Sequence, residues 1–168
     1  DLKRYDALRE MGVNRVSFCF EIFDPCVFKE VCPGKDRQYG LQRYLDAVEY
    51  CASLAKKGPR SQPWVTNGEI IVGLEPPESS IKAIDWITSV GAIPTVCVFR
   101  PLAGTDYADM PAPQTEPLIP VFQRQPIHPP TGPCLEQQPA ADQLLLAEHL
   151  AILQGLQVVP RLQLHVPR

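Results

Sequence analysis

Polar and glycine residues interrupt or end several apolar runs of the chain, and their types suggest ligand chemistry. Glu21 stands inside SFCFEIF, where an unpaired buried carboxylate is costly. Two readings are open for it: a charge paired with a surface Lys or Arg, or a carboxylate accepting hydrogen bonds from a polar ligand. Arg43 lies in the first turn of LQRYLDAVEYCASLA, where the helix dipole favours anions rather than cations. An anionic ligand or a carboxylate partner such as Glu21 would explain it; so would an exposed arginine held by nothing. Gly73, in IIVGLEPPE, allows a positive φ or close approach of a ligand, and equally a plain turn. Beside it, Glu69 and Glu75 are further acidic candidates, with Glu75 reading as a solvated turn residue. Arg100 follows PTVCVF directly, placing a guanidinium where a carboxylate or phosphate would suit it, or an internal salt bridge. Gly104 and Thr105 continue that loop.

The other reactive types are less suggestive. Cys19 and Cys97 fall in apolar runs and Cys51 on an apolar helix face, so all three read as core residues. Cys26 and Cys32 are a weak metal-ligand pair, and no metal residue is assigned. The histidines, 128, 149 and 165, have no hydrolase-like context, and neither a phosphate loop nor Gly-x-Gly-x-x-Gly occurs.

Elements must position these residues. Leu2 to Met11 has helical spacing with Gly12 as its stop. Arg15 to Phe23 reads as a buried strand, and Asp24-Pro25 as an N-cap and first helical residue of a helix toward Val31, broken by Pro33-Gly34. Leu41 to Ala55 is an amphipathic helix with Leu41, Tyr44, Leu45, Val48, Cys51 and Ala52 on one face. Val65 to Val72 is a second strand. A helix capped by Ser79 or Ser80 runs to Val90 with Gly91 ending it, and Pro94 to Phe99 is a third strand. Strands that alternate with helices and read as continuous apolar runs predict an α/β fold with parallel strands buried on both faces. A doubly wound sheet and a sector of a (β/α) barrel both satisfy this. In both, ligands sit at the carboxyl ends of strands, which here are Glu21–Asp24, Gly73–Glu75 and Arg100–Thr105.

The chain has 168 residues, 45% of them hydrophobic, and a formal net charge of −3. That supports a real core and argues against a nucleic-acid partner, which normally meets a basic face. No apolar run approaches the roughly eighteen residues of a membrane span, so no membrane partner is expected. Sparse cysteines and the lack of a leader point to the cytoplasm, and a helix-like start at Asp1 suggests a beginning inside a larger domain. After Ala103 the texture changes: nine prolines fall between Pro101 and Pro133, and no lysine follows Lys82. Residues 1–121 are expected to form the folded unit. Residues 122–168 are expected to be a Pro/Gln/Leu-rich tail, partly disordered, with one helix over 140–156 and a short strand; a divergent extension and a shifted reading frame both account for it.

The stretches GVNRVSFCFEIFDPCVFKEVCPGK, QRYLDAVEYC and NGEIIVGLEPPESSIKAIDWITSVGAIPTVCVFRPLAGTDYAD together resemble the second half of a radical S-adenosylmethionine barrel, in the biotin synthase, lipoyl synthase and hydrogenase-maturase branch. The resemblance covers residues 1 to about 110 and implies strands four to six of a TIM-type barrel. It implies cofactor contacts from Glu21, Arg43, Gly73 and Arg100. It also implies that an intact protein cleaves S-adenosylmethionine reductively at a [4Fe-4S] cluster, giving a 5′-deoxyadenosyl radical that abstracts hydrogen from a small-molecule substrate. The electron donor would be of the ferredoxin or flavodoxin kind. The family's Cys-x-x-x-Cys-x-x-Cys is absent here, so the chain by itself is expected to be inactive, with the cluster ligands in an amino-terminal half. The Glu that normally follows the glycine turn is one residue out of register with Glu75. Two other classes stay open: a (β/α)-barrel lyase or aldolase, and a non-catalytic half-barrel that binds a partner.

Overall fold

The computed structural model describes residues 1–57 and 63–124. The helix and strand expected in the tail lie outside the described residues. The expected boundary at 121/122 falls inside the last described helix, Ile119–Arg124, where Val121 is fully buried.

The first helix, α1 (Arg4–Glu10), ends before Gly12, whose φ of 94° suits a residue without a Cβ. Strand β1 (Arg15–Glu21) leads to Asp24, whose carboxylate accepts from the amides of Cys26 and Val27 and so caps α2 (Pro25–Val31). Pro33-Gly34 does not simply break the chain. Pro33 opens a further short helix, α3 (Pro33–Gln38), because a proline at the first helical position gives up an amide that the helix does not need. Then come α4 (Leu41–Ala55), β2 (Val65–Val72), α5 (Pro77–Val90), β3 (Ile93–Val98) and, after a short 3₁₀ turn, α6 (Ile119–Arg124). The α5 helix starts at Pro77, so neither Ser79 nor Ser80 caps it; Gly91 ends it in the left-handed region, as expected.

The three strands form one parallel sheet in the order β1-β2-β3. Helix α4 packs on β1 and β2, and α5 on β2 and β3. Phe18, Phe20, Ile70, Val72 and Val96 meet Val48, Cys51, Ala52, Ala83, Ile84 and Ile87 in a dry core. Each large apolar side chain buried there contributes about 1.5–3 kcal/mol. Burial holds the Cys51 thiol neutral, its pKa pushed up to about 12. Helix α1 is tied to α4 by the Tyr50 hydroxyl donating to Asp6 and by Arg9 donating to the Leu54 carbonyl at 2.8 Å.

The expectation of strands buried on both faces is corrected. Among the described residues one face is dry, while Ser17 and Cys19 of β1, Asn67 and Glu69 of β2, and Thr95 and Cys97 of β3 are half-buried or exposed on the other. Period-2 alternation was present in RVSFCFE all along. Reading Ser17 and Cys19 as apolar hid it. Cys19 and Cys97 are therefore not core residues.

Gly68 lets α5 approach the sheet: a Cβ there would stand 3.0 Å from Cδ1 and Cγ1 of Ile87. The Gly68→Ala variant should lose about 1 kcal/mol of stability, crowding outweighing the backbone entropy gained. The loss should be smaller when Ile87 is already alanine. Urea melts of the two single variants and the double variant measure this, and simple additivity would disprove the close approach.

Candidate functional site

The carboxyl ends of β1 and β2 are joined by one side chain. Glu75 lies in the turn after β2 and is only 6% exposed. Its Oε2 accepts from the backbone amides of Phe23 (3.0 Å) and Asp24 (2.8 Å), and its Oε1 from the Ser80 hydroxyl (3.1 Å). The expectation of a solvated turn residue is overturned. Burial pushes the Glu75 carboxyl above its ordinary range, outweighing the opposing effect of the three hydrogen bonds.

The loop so held carries Glu21. The Ile22 amide donates to the Phe20 carbonyl at 2.8 Å, closing a three-residue turn around Glu21, and the β1–β2 register slips between Cys19 and Glu21. Glu21 has a φ of 68°, and among the described residues no other non-glycine residue has a positive φ. Such a conformation costs on the order of 1–3 kcal/mol and is held only by its surroundings.

Lys35, on α3, supplies part of that hold. Its Nζ donates to the Glu21 carboxylate at 2.8 Å and to the Cys19 carbonyl at 2.6 Å. Glu21 is thus paired, and with Lys35 rather than Arg43. The pairing raises the Lys35 pKa against the opposing effect of burial, which is the largest single influence. The two side chains are 34% and 19% exposed, so their ion pair is worth about 1 kcal/mol or less. Leaving the Phe23 and Asp24 amides without Glu75 would cost about 1–3 kcal/mol for each. Glu75 is the stronger hold.

The remaining candidates sit apart. Arg43 is exposed, with its guanidinium 5.8 Å from the Tyr39 ring centre. It lines a cavity of about 350 Å³ with Tyr5, Phe18, Tyr44 and Ala47, on the helix-covered side of β1. Gly73 has a φ of 101°, but what approaches it is Pro113: a Cβ would fall 2.7 Å from the proline's Cβ and Cγ. Arg100 is exposed just beyond β3 and makes no salt bridge among the described residues.

On the open face, Cys19 pairs in register with Glu69, and Glu69 with Thr95. Burial first, then the charges of Glu69 and Glu21, raise the thiol pKa values of both Cys19 and Cys97, so these are protonated thiols rather than reactive thiolates. Asn67 donates to Thr95 Oγ1 at 3.1 Å, while its own Oδ1 is buried without a partner. Among the described residues no three His, Cys, Asp or Glu side chains converge into a set able to hold a metal ion. They therefore do not fit an iron–sulfur cluster, which takes several thiolates. No helix among them is long and apolar enough to cross a membrane.

A curated protein similar to this chain is bacteriochlorophyllide c C-7(1)-hydroxylase of Chlorobaculum limnaeum, 33% identical over 119 residues. The match takes in 71% of this chain and 28% of the hydroxylase, so the chain spans under a third of that relative's length. No family model matches the chain, and no solved structure matches it. This chain is thus similar over most of its length to part of an enzyme.

Two outcomes follow from the geometry. Gly73→Ala should lose more than about 1 kcal/mol, because Ala is strained at positive φ and collides with Pro113; denaturant melts report it, and unchanged stability would refute the contact. Because the folded Glu75 pKa lies above its ordinary value of 4.5, its contribution is fully present below that value and is lost as pH rises through the raised pKa. Stability curves of the native chain and Glu75→Gln should therefore converge or diverge across that window alone. Parallel curves would contradict a raised pKa.

Proposed function

We propose that this chain forms the carboxyl-end mouth and inner polar face of part of a (β/α) barrel in a radical S-adenosylmethionine enzyme. The observation that carries the reading is the 33% identity to a hydroxylase over 119 residues, and the stretches that resemble strands four to six of such barrels point the same way. The fold supports it: a parallel sheet with its connecting helices packed on one face is compatible with a barrel sector, and the polar opposite face would suit a barrel that encloses a ligand. A hydroxylation replaces a hydrogen on carbon, which agrees with the hydrogen abstraction that the resemblance implies.

Within this reading S-adenosylmethionine, when bound, supplies the radical. The chain's residues bind and orient it. Glu21, strained at a strand end and half-exposed beside Lys35, offers a carboxylate and an ammonium to a zwitterionic ligand. Exposed Arg100 offers a further cation beyond the end of β3, two strands away in the sheet. Gly73 contributes backbone at the β2 turn, next to Pro113, while Arg43, beside Tyr39 on the helix-covered side of β1, is a separate cation. The [4Fe-4S] cluster takes its ligands from outside the described residues. A ferredoxin- or flavodoxin-like electron donor and a small-molecule substrate complete the reaction in the cytoplasm. A non-catalytic binding module is the second reading, favoured by the lack of a metal-ligand set among the described residues.

Coding DNA on both sides of this chain separates the two. An in-frame Cys-x-x-x-Cys-x-x-Cys upstream is expected; an in-frame start at or just before Asp1, with no triplet, leaves the binding module. In the intact protein, Glu21→Gln should weaken S-adenosylmethionine binding about tenfold, the loss of one charge-assisted contact. Equilibrium dialysis measures it, and an unchanged dissociation constant in both Glu21→Gln and Arg43→Met would remove the site assignment.

A further inference from the structure

We infer that Glu75 is a positioning residue, a buried carboxylate on the β2–α5 turn that sets the orientation of Glu21 by holding the backbone just beyond it. The inference rests on the ligand-binding role proposed above for Glu21. Glu21 occupies a strained turn that its own residue type does not favour. The turn is pinned on its amino-terminal side by Lys35 at the Cys19 carbonyl, and on its carboxyl-terminal side by Glu75 at the amides of Phe23 and Asp24. The Lys35 hold is partly exposed and open to screening by salt. Glu75 is buried, and its other oxygen is fixed by Ser80, itself buried in the first turn of α5. A strut from α5 thus reaches the β1 turn across more than fifty residues of sequence. Glu75 is only 6% exposed and both its oxygens are engaged by the protein, so it acts on a ligand through Glu21.

The test uses the longest protein encoded by the reading frame, with Glu75→Gln, Glu75→Ala, Glu21→Gln and the Glu21→Gln/Glu75→Ala double variant. Backbone amide exchange and S-adenosylmethionine binding are measured on each. Glu75→Gln keeps an oxygen for the two amides and a donor for Ser80, so both readouts should stay within about twofold of the native protein. Glu75→Ala should speed exchange at Ile22, Phe23 and Asp24 at least tenfold, as an order of magnitude, and weaken binding about tenfold. That weakening should vanish in the Glu21→Gln background, because the two residues act in series. Independent, additive losses would overturn the inference and leave Glu75 a structural residue only. Should Glu75→Ala not fold, Ser80→Ala removes one of the three bonds, and the same non-additivity is expected on a smaller scale. If the native protein binds no S-adenosylmethionine, the functional reading fails, and exchange alone then decides on Glu75. Acceleration confined to 22–24 supports the strut, and acceleration spread over the whole chain overturns it.

Discussion

One buried carboxylate organises the functional end of this molecule. The sheet's ladder aligns β1 and β2 along their length, yet their carboxyl ends leave in different directions, one into α2 and the other into α5. Glu75 ties the two exits by hydrogen bonds, accepting from two amides of the first and a hydroxyl of the second, and the Phe23 ring beside Trp86 of α5 adds an apolar contact. Burying an acid is unfavourable, as the upward displacement of its pKa shows. Apolar packing would avoid that cost but would leave two consecutive amides of a partly buried loop without their acceptor. The acid is the cheaper solution, and in either protonation state Oε2 still accepts from both amides.

A second constraint is the division of the sheet into a dry face and a polar one. Helices α4 and α5 need only one apolar face to pack against, and Phe18, Phe20, Gly68, Ile70, Val72 and Val96 supply it. The opposite residues are thereby released from packing duty. Ser17, Cys19, Asn67, Glu69, Thr95 and Cys97 show the consequence: small or polar side chains, of which Asn67 hydrogen-bonds to Thr95 and Cys19 to Glu69. Such a surface is costly to place against another apolar layer, which counts against a doubly wound arrangement with helices on both sides.

Local signals made much of the fold legible. The spacing of Leu41 to Ala55 marked a helix whose ends the structure reproduces, and Val65 to Val72 marked a strand equally well, because one period dominated each stretch. Asp24-Pro25 was readable because a cap acts over three residues. Glu75 was not, since nothing near EPPESS signals that its carboxylate will meet amides in another loop. Lys35 was missed for a similar reason. Pro33-Gly34 suggested a break, so the helix that delivers its ammonium to Glu21 went unread.

The same logic explains why Glu21, one possible partner for Arg43, does not meet it. Opposite charges at the end of a strand and the start of the following long helix look adjacent on paper. Between them, however, α3 fills the connection and brings its own cation. Lys35 reaches Glu21 first, over a path of fourteen residues. Arg43 is then left beside Tyr39, over the cavity bounded by Phe18 on the helix side of β1. A carboxylate already paired is a weaker lure for a distant guanidinium, and an arginine stacked on a ring keeps a compact, weakly hydrated charge at little cost. The charges at the mouth therefore divide into a Lys35–Glu21 pair on the β1 turn and a separate Arg43 behind it. On the proposed reading, a ligand seated on the turn would meet an acid and a base within 2.8 Å of each other, an arrangement suited to a molecule carrying both charges itself.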